Sequence, residues 1–139
     1  MNGRRIDHTA IVVADLDEAL PRYRRLFGIE PGLRQAVPDQ GVEIAFLPIG
    51  DTQLELVQPT SEDSGVARFL ARRGEGLHHI AVEVEDIAAE LDRLDAAGIP
   101  LIDRQPRRGV HGRIAFVRPE ALGGVLLELV EGSPASPPA

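Results

Sequence analysis

The chain contains no cysteine among its 139 residues. Neither a disulfide framework nor a thiolate metal site is therefore possible, so that any metal ion must be held by histidine and carboxylate side chains. No apolar run approaches the length that spans a membrane, and residues 1–15 lack the basic start and apolar centre of a secretory signal. These absences predict a soluble cytoplasmic protein that does not associate with membranes.

Positive charge is also scarce, because 15 Lys and Arg residues stand against 22 Asp and Glu residues and give a net charge of -7. This balance argues against nucleic acid as the main partner, since phosphate contacts need a basic face. Residues 104–113 are the local exception, with four arginines. A charge run of this kind is more often a solvated turn than a binding site, and the alternative is a seat for the phosphates of a small anionic ligand.

The sequence contains two copies of one unit, at residues 5–58 and 76–131, and both must be considered before any polar residue is interpreted. The offset between the copies drifts from 71 to 73 residues, as loop insertions would produce. The length, with 43% hydrophobic and 27% charged residues, suits one compact domain over residues 1–139, or two very small ones that share a core. Chemically matched pairs coincide in the two copies: His8 with His79, Asp15 with Asp86, and Glu55 with Glu128.

Each copy predicts the element order βαβββ and therefore an α+β fold. A β-branched apolar run comes first, then an aspartate at a helix start, then a helical apolar stripe that ends at a glycine. Pro21 predicts a kink or a late start in the first helix. Between the copies, residues 61–73 predict a serine-capped linking helix, and the tail 132–139 is predicted to be disordered. The remaining strands are predicted at 29–36, 42–48, 52–58, 99–104, 112–118 and 124–130.

Two adjacent histidines, His78 and His79, lie in a predicted strand, where successive side chains face opposite sides. At most one of them is therefore expected to be a ligand. The repeat selects His79, because its counterpart is His8 whereas the counterpart of His78 is Asp7. For His78, and for His111 in a glycine-flanked loop, we keep the interpretation of a structural or solvated residue.

If the two copies pack as a pseudo-twofold pair, their first and last strands can present two imidazoles and two carboxylates to one cleft. Such a set suits a divalent first-row metal, with two positions left for water or substrate in octahedral coordination. A single strand histidine or glutamate is more often structural or solvated. Their matched places in apolar strands favour the metal hypothesis for the four together: His8, Glu55, His79 and Glu128.

From about Ile6 to Glu131 the chain resembles the vicinal oxygen chelate superfamily and, within it, the methylmalonyl-CoA epimerase family. The resemblance rests on five stretches: IDH at 6–8, PDQGVEIAFLP at 38–48, VARFLARRGEGLHHIA at 66–81 with the acidic and serine residues before it, PRRGVHG at 106–112 and GGVLLELVE at 123–131. It implies an open β-barrel or cup built from the two modules, a homodimer, and metal ligation by the same four residues. Cobalt is the leading metal, with manganese, zinc, nickel and iron also open.

The resemblance further implies interconversion of (R)- and (S)-methylmalonyl-CoA through an enolate, with Glu128 as the first candidate base and Glu43 as the second. Some relatives carry a second glutamate where this chain has Ile44, and a shift of one residue in a strand reverses the facing direction. Another departure is Arg118-Pro119-Glu120, where many relatives have His-Pro-Lys. Four arginines are available for the anionic coenzyme A tail: Arg104, Arg107, Arg108 and Arg113.

Three other functions stay open from the sequence. A glyoxalase I-like lactoylglutathione lyase would use a similar His/Glu quartet and the same enolate chemistry. A non-haem iron oxygenase would use two histidines and one carboxylate, and it gains weight if Glu55 is not a ligand. A non-enzymatic small-molecule-binding protein of the same fold would need no metal.

Overall fold

The computed structural model describes residues 3–30, 32–110 and 112–132. Its α+β class and the βαβββ order of each sequence repeat agree with the prediction. His111 and residues 133–139 of the predicted disordered tail lie outside the described residues. The strands and helices are β1 (Gly3–Val12), α1 (Leu16–Phe27), β2 (Arg34–Val37), β3 (Val42–Ile49), β4 (Thr52–Pro59), α2 (Gly65–Arg73), β5 (Gly76–Val84), α3 (Ile87–Ala96), β6 (Arg107–Arg108), β7 (Arg113–Val117) and β8 (Leu126–Glu131).

The fold comprises two compact units whose boundaries fall inside strands β1 and β5. The continuous unit consists of Thr9–His78. The discontinuous unit consists of the described residues of Met1–His8 and His79–Ala139. Among the residues described, no helix combines the length and apolarity that a membrane crossing requires.

The continuous unit places one face of its strands, in the order β2-β3-β4-β1, against helix α1. Antiparallel pairing in register sets Phe46 opposite Glu55 and Ala45 opposite Leu56. Side chains alternate between the two faces of a strand, so Ala45 and Leu56 face the helix while Phe46 and Glu55 face away from it. The helix-facing core consists of Val13, Leu16, Ala19, Leu20, Ala45, Leu47 and Leu56.

The discontinuous unit repeats this arrangement with the strand order β1-β5-β8-β7-β6. Strands β5 and β8 are parallel, with Ala81 opposite Glu128, and β7 is antiparallel to β8, with Phe116 opposite Glu128. The face that carries Glu128 therefore looks away from helix α3. The opposite face packs on that helix through Val84, Ile87, Leu91, Leu94, Ala115, Val117 and Leu129.

The first helix of each repeat is fixed at its start by two side chains. Asp15 accepts hydrogen bonds from the backbone N–H groups of the first turn of α1, and Asp86 does the same for α3. A side chain from the last strand of each repeat accepts the N–H of the first helical residue: Gln58 from Leu16 at 2.7 Å, and Glu131 from Ile87 at 3.1 Å. The repeat thus extends to the contacts that hold each helix against its strands.

Three local predictions are wrong. Helix α1 begins directly after Asp15 and contains Pro21, so the late start does not occur, while the kink stays a prediction. Strand β2 begins at Arg34 rather than at residue 29. The predicted strand 99–104 is reduced to one isolated bridge at Leu101, because the Asp103 carboxylate accepts the Phe116 N–H at 2.8 Å in place of a backbone carbonyl.

Candidate metal centre

Three of the four predicted ligands meet in the discontinuous unit. His8 Nε2 lies 3.2 Å from His79 Nε2, and Glu128 Oε1 lies 2.9 Å from His79 Nε2 and 3.4 Å from His8 Nε2. All three residues are buried, with 5%, 9% and 6% of their surfaces exposed. Two imidazole nitrogens and one carboxylate oxygen therefore share one small buried space.

The distances fit a common cation. Ligand atoms about 2.0–2.2 Å from one ion, in adjacent octahedral positions, are about 3 Å apart. Imidazole nitrogens and carboxylate oxygens carry lone pairs, so these atoms repel one another unless a proton or a cation lies among them. The three atoms lie within 4.8 Å of one another, as a His/His/carboxylate metal site requires. Residues of this kind favour a divalent first-row ion.

The pairing of β5 with β8 explains why His79 and Glu128 face the same way. His79 and Ala81 are two apart in β5 and share a face, and Glu128 is the β8 neighbour of Ala81. The ring of Phe116 stands edge-on to the His79 ring, with centroids 5.7 Å apart. The neighbouring His78 is directed elsewhere and packs edge-on against Phe69 at 5.0 Å, in agreement with the structural interpretation of that residue.

Asp7 is a partner of the site that the sequence analysis did not single out. Its Oδ2 lies 2.7 Å from His8 Nδ1, and because a carboxylate only accepts, the His8 Nδ1–H donates. This bond leaves the lone pair of His8 on Nε2, the atom that faces His79 and Glu128. Strand alternation argued against finding Asp7 here, and the one signal available was a carboxylate directly before a candidate ligand.

Glu55, the fourth predicted ligand, belongs to the continuous unit. It is buried, with 5% of its surface exposed, and it lies on the face of β4 that looks away from α1. Its cross-strand neighbour is Phe46, as Phe116 is the neighbour of Glu128 in the other unit. The two glutamates therefore hold equivalent positions in the two repeats, and the role of Glu55 as a ligand stays a prediction.

Glu43 lies on the helix-facing side of β3, because it is two residues from Ala45 of the α1 core and three from Phe46. Its Oε1 accepts a hydrogen bond from Arg34 at 2.9 Å, and Arg34 also donates to Asp17 of α1 at 2.6 Å. The pairing of β3 with β2 and β4 runs in continuous register through this residue, so no bulge turns it to the other face. Glu43 and Glu55 thus occupy opposite faces of the continuous unit.

The four arginines proposed for the coenzyme A tail differ in their contacts. Arg113 donates two hydrogen bonds of 2.9 Å to Glu131, and Arg104 donates one of 2.7 Å to Asp95. Arg107 lies over the Phe116 ring at 5.3 Å, and Arg108 is exposed beside it on β6. Arg107 is therefore the arginine whose guanidinium packs on the same aromatic ring as His79.

Glu128 is held in its ionised form. Burial raises its pKa, but the neighbouring His79 and His8 outweigh burial and lower the pKa from 4.5 to about 2. The carboxylate therefore stays negative throughout the neutral range. An anionic oxygen between two imidazoles favours a divalent cation over a neutral ligand.

This pKa predicts acid sensitivity in the metal-free protein. A folded pKa of about 2, below the unfolded value of 4.5, means that ionised Glu128 stabilises the fold fully above about pH 4.5 and that this stabilisation is lost as the pH falls towards 2. The shift corresponds to a contribution on the order of 3 kcal/mol. We expect the difference in unfolding free energy between wild type and Glu128→Gln, measured with urea, to shrink between pH 5 and pH 3. A difference that stays constant over this range would contradict the expectation.

Comparison with known proteins gives one consistent result at sequence level. The sequence profile of the glyoxalase/bleomycin resistance protein/dioxygenase superfamily matches residues 7–116. The ethylmalonyl-CoA/methylmalonyl-CoA epimerase of Cereibacter sphaeroides is 41% identical over 90% of this chain and 96% of its own length. The mitochondrial methylmalonyl-CoA epimerase of Homo sapiens is 35% identical over 92% of this chain and 74% of its own length.

The solved structures agree. A variant of Streptomyces coelicolor methylmalonyl-CoA epimerase, in complex with 2-nitronate-propionyl-CoA, is 38% identical and superposes with a TM-score of 0.91. The alignment covers 99% of this chain and all of that one. The predicted vicinal oxygen chelate fold is thereby confirmed.

Proposed function

Because this chain belongs to the glyoxalase/bleomycin resistance protein/dioxygenase superfamily, we propose that it is a metal-dependent epimerase that interconverts (R)- and (S)-methylmalonyl-CoA. The observation that carries the proposal is the buried group of His8, His79 and Glu128, whose ligand atoms lie 2.9 to 3.4 Å apart. Relatives named as epimerases of this substrate align with nearly the whole chain.

Three residues would hold a divalent ion here, through His8 Nε2, His79 Nε2 and Glu128 Oε1. Such an ion, when bound, supplies Lewis-acid stabilisation of the charge that develops on a thioester oxygen. Cobalt is the metal that we propose first, and manganese, zinc and nickel suit the same donor set. The protein contributes a buried site in which the three ligand atoms already lie 2.9 to 3.4 Å apart, so that little reorganisation precedes binding.

Proton transfer is the second task of the site. Epimerisation removes the hydrogen α to the thioester and returns one to the opposite face, so two acid/base groups, or one group and a water molecule, must flank the carbon. Glu128 is ionised at neutral pH, and its Oε1 already faces both histidines. We propose that its other oxygen, Oε2, accepts the proton.

The proposed reaction is tested by incubating the purified, cobalt-loaded protein with (S)-methylmalonyl-CoA and following the appearance of the (R) form. A parallel assay with the methylglyoxal-glutathione adduct tests the lyase alternative. Conversion of (S)-methylmalonyl-CoA, with no conversion of the glutathione adduct, supports the epimerase. Conversion of the glutathione adduct alone would identify a lactoylglutathione lyase, and inactivity on both with a bound metal would favour a binding protein.

Glu43 stays the second candidate base from the sequence, and its pairing with Arg34 on the helix-facing side of β3 argues against this role. We expect Glu43→Gln to keep turnover within a few-fold of wild type, because removal of a general base costs about 10²–10⁴-fold. The measurement is kcat for the epimerisation at saturating substrate. A loss of 100-fold with unchanged thermal stability would restore Glu43 to the mechanism.

Three further points from the sequence remain predictions: Glu55 as a metal ligand, the homodimer, and the cytoplasmic location. The metal affinity of Glu55→Gln tests the first, and light scattering of the purified protein tests the second. A two-histidine, one-carboxylate site without Glu55 would return the iron oxygenase alternative to consideration.

A further inference from the structure

A short polar chain leads away from His8 inside the discontinuous unit. It begins with the hydrogen bond of 2.7 Å from His8 Nδ1 to Asp7 Oδ2. The other oxygen of Asp7, Oδ1, accepts a hydrogen bond from Arg5 at 3.2 Å. Both oxygens of the carboxylate are therefore engaged, and only 14% of the Asp7 side chain is exposed.

Arg5 also contacts a second carboxylate. The same Arg5 nitrogen lies 3.3 Å from Glu83 Oε2, and only 5% of the Glu83 side chain is exposed. Glu83 is in turn confined by Gly132, since a Cβ built on that glycine would lie 2.9 Å from the Glu83 carboxylate. Arg5 thus bridges a strand β1 carboxylate and a strand β5 carboxylate, with both partners largely removed from solvent.

From this geometry we propose that Asp7 is a positioning residue for the metal centre, and that Arg5, anchored by Glu83, holds it in place. The inference rests on the proposed metal-dependent function. Asp7 binds the proton on His8 Nδ1, which fixes the tautomer and the rotation of the ring and directs the Nε2 lone pair at the ion. A negative partner at Nδ1 also makes the imidazole a stronger electron donor.

The two histidines differ in this respect. The position that corresponds to Asp7 in the second repeat is His78, whose ring packs against Phe69 instead. The carboxylate therefore adjoins one ligand of the pair, and its loss should weaken the bond to His8 selectively. His78 supplies a matched control, because it precedes His79 as Asp7 precedes His8.

The test is a cobalt titration of the metal-free wild type, Asp7→Asn, Asp7→Leu and His78→Asn, with competition by a chelator of known affinity. We expect 10–100-fold weaker binding for Asp7→Leu, a smaller loss for Asp7→Asn, which keeps an acceptor oxygen, and wild-type affinity for His78→Asn. Arg5→Gln should weaken binding less than Asp7→Leu, because Asp7 itself remains.

A second measurement separates positioning from a purely structural role. In proton NMR spectra of the cobalt-loaded protein, a ligating histidine gives a strongly shifted signal from its exchangeable N–H. We expect the His8 signal to exchange slowly with solvent in wild type and to exchange quickly or disappear in Asp7→Leu, with the thermal stability of the metal-free protein reported beside it. If Asp7→Leu does not fold, Asp7→Asn carries both measurements.

The outcomes are distinct. Wild-type cobalt affinity and an unchanged N–H signal in the Asp7 variants would overturn the positioning role while leaving the metal-dependent function intact. Loss of stability without loss of affinity would likewise overturn it. Failure of the wild-type protein itself to bind cobalt would instead remove the metal-dependent function and the inference with it.

Discussion

Glu128→Gln is expected to lower epimerase turnover by about 10²–10⁴-fold, the range that general acid/base catalysis contributes. The amide keeps the size of the side chain and one oxygen that can face His79 and His8, so partial metal binding should persist. It cannot accept a proton, and it removes the negative charge that now lies between two imidazoles. The measurement is kcat, with metal content determined on the same samples.

The comparison that isolates chemistry from metal loss is kcat per bound metal ion. If kcat per bound metal ion in the variant equals that of wild type, the loss of turnover comes from loss of metal, and Glu128 is a ligand and not a base. Wild-type turnover with metal still bound would remove Glu128 from the mechanism altogether. Glu43→Gln provides the second reference, because Glu43 lies in the other unit, on the helix-facing side of β3, where it pairs with Arg34.

His79→Ala is expected to abolish both tight metal binding and turnover. Even residues that only hydrogen-bond to a ligand are worth about 10–100-fold in metal affinity, so loss of a ligand should cost more than about 100-fold. Cobalt affinity and the visible absorption of the bound ion are the measurements. The variant His78→Ala is the control, because His78 neighbours His79 in β5 and packs against Phe69 instead of facing Glu128.

Two additions sharpen this test. Thermal unfolding of metal-free His79→Ala tests whether the fold survives. This control is needed because the substitution leaves Glu128 with one imidazole partner instead of two. Added imidazole should restore part of the metal binding in His79→Gly, where the missing ring leaves space. Metal affinity equal to that of wild type in His79→Ala would contradict the assignment of this residue as a ligand.

Most of the fold and site that could be predicted from the sequence followed from the internal repeat. It predicts the βαβββ order of each copy, and it favours His79 over His78 as a ligand. The resemblance to the vicinal oxygen chelate superfamily is confirmed by the family profile and by the superposed epimerase structure. The structure brings His8, His79 and Glu128 together, while their role as ligands, and the packing of the two copies as a pseudo-twofold pair, stay predictions.

Hydrophobic periodicity did not predict two local features of the backbone. A hydrophobic pattern predicts a strand at 99–104, but the side chain of Asp103 competes for the Phe116 N–H and replaces the strand pairing. Helix α1 contains Pro21 and still begins directly after Asp15, where Asp15 and Gln58 accept N–H groups of its first turn.

Asp7 shows a further limit of strand alternation. The rule assigns adjacent residues to opposite faces, and so it separates Asp7 from His8 although their side chains are hydrogen-bonded. The rule is reliable for Glu43, where continuous register keeps the carboxylate with the α1 core and away from the face of Glu55. Alternation describes where Cβ atoms point, and short polar side chains near the strand can still reach a neighbour.

The central claim is that a divalent ion held by His8, His79 and Glu128 is needed for removal of the proton α to the thioester. Its most direct test is the incorporation of solvent deuterium at that carbon of methylmalonyl-CoA, followed by mass spectrometry before chelation, after chelation and after addition of cobalt. We predict rapid incorporation, its loss on chelation and its return with cobalt. Deuterium incorporation at an undiminished rate in protein verified to be metal-free would contradict the claim.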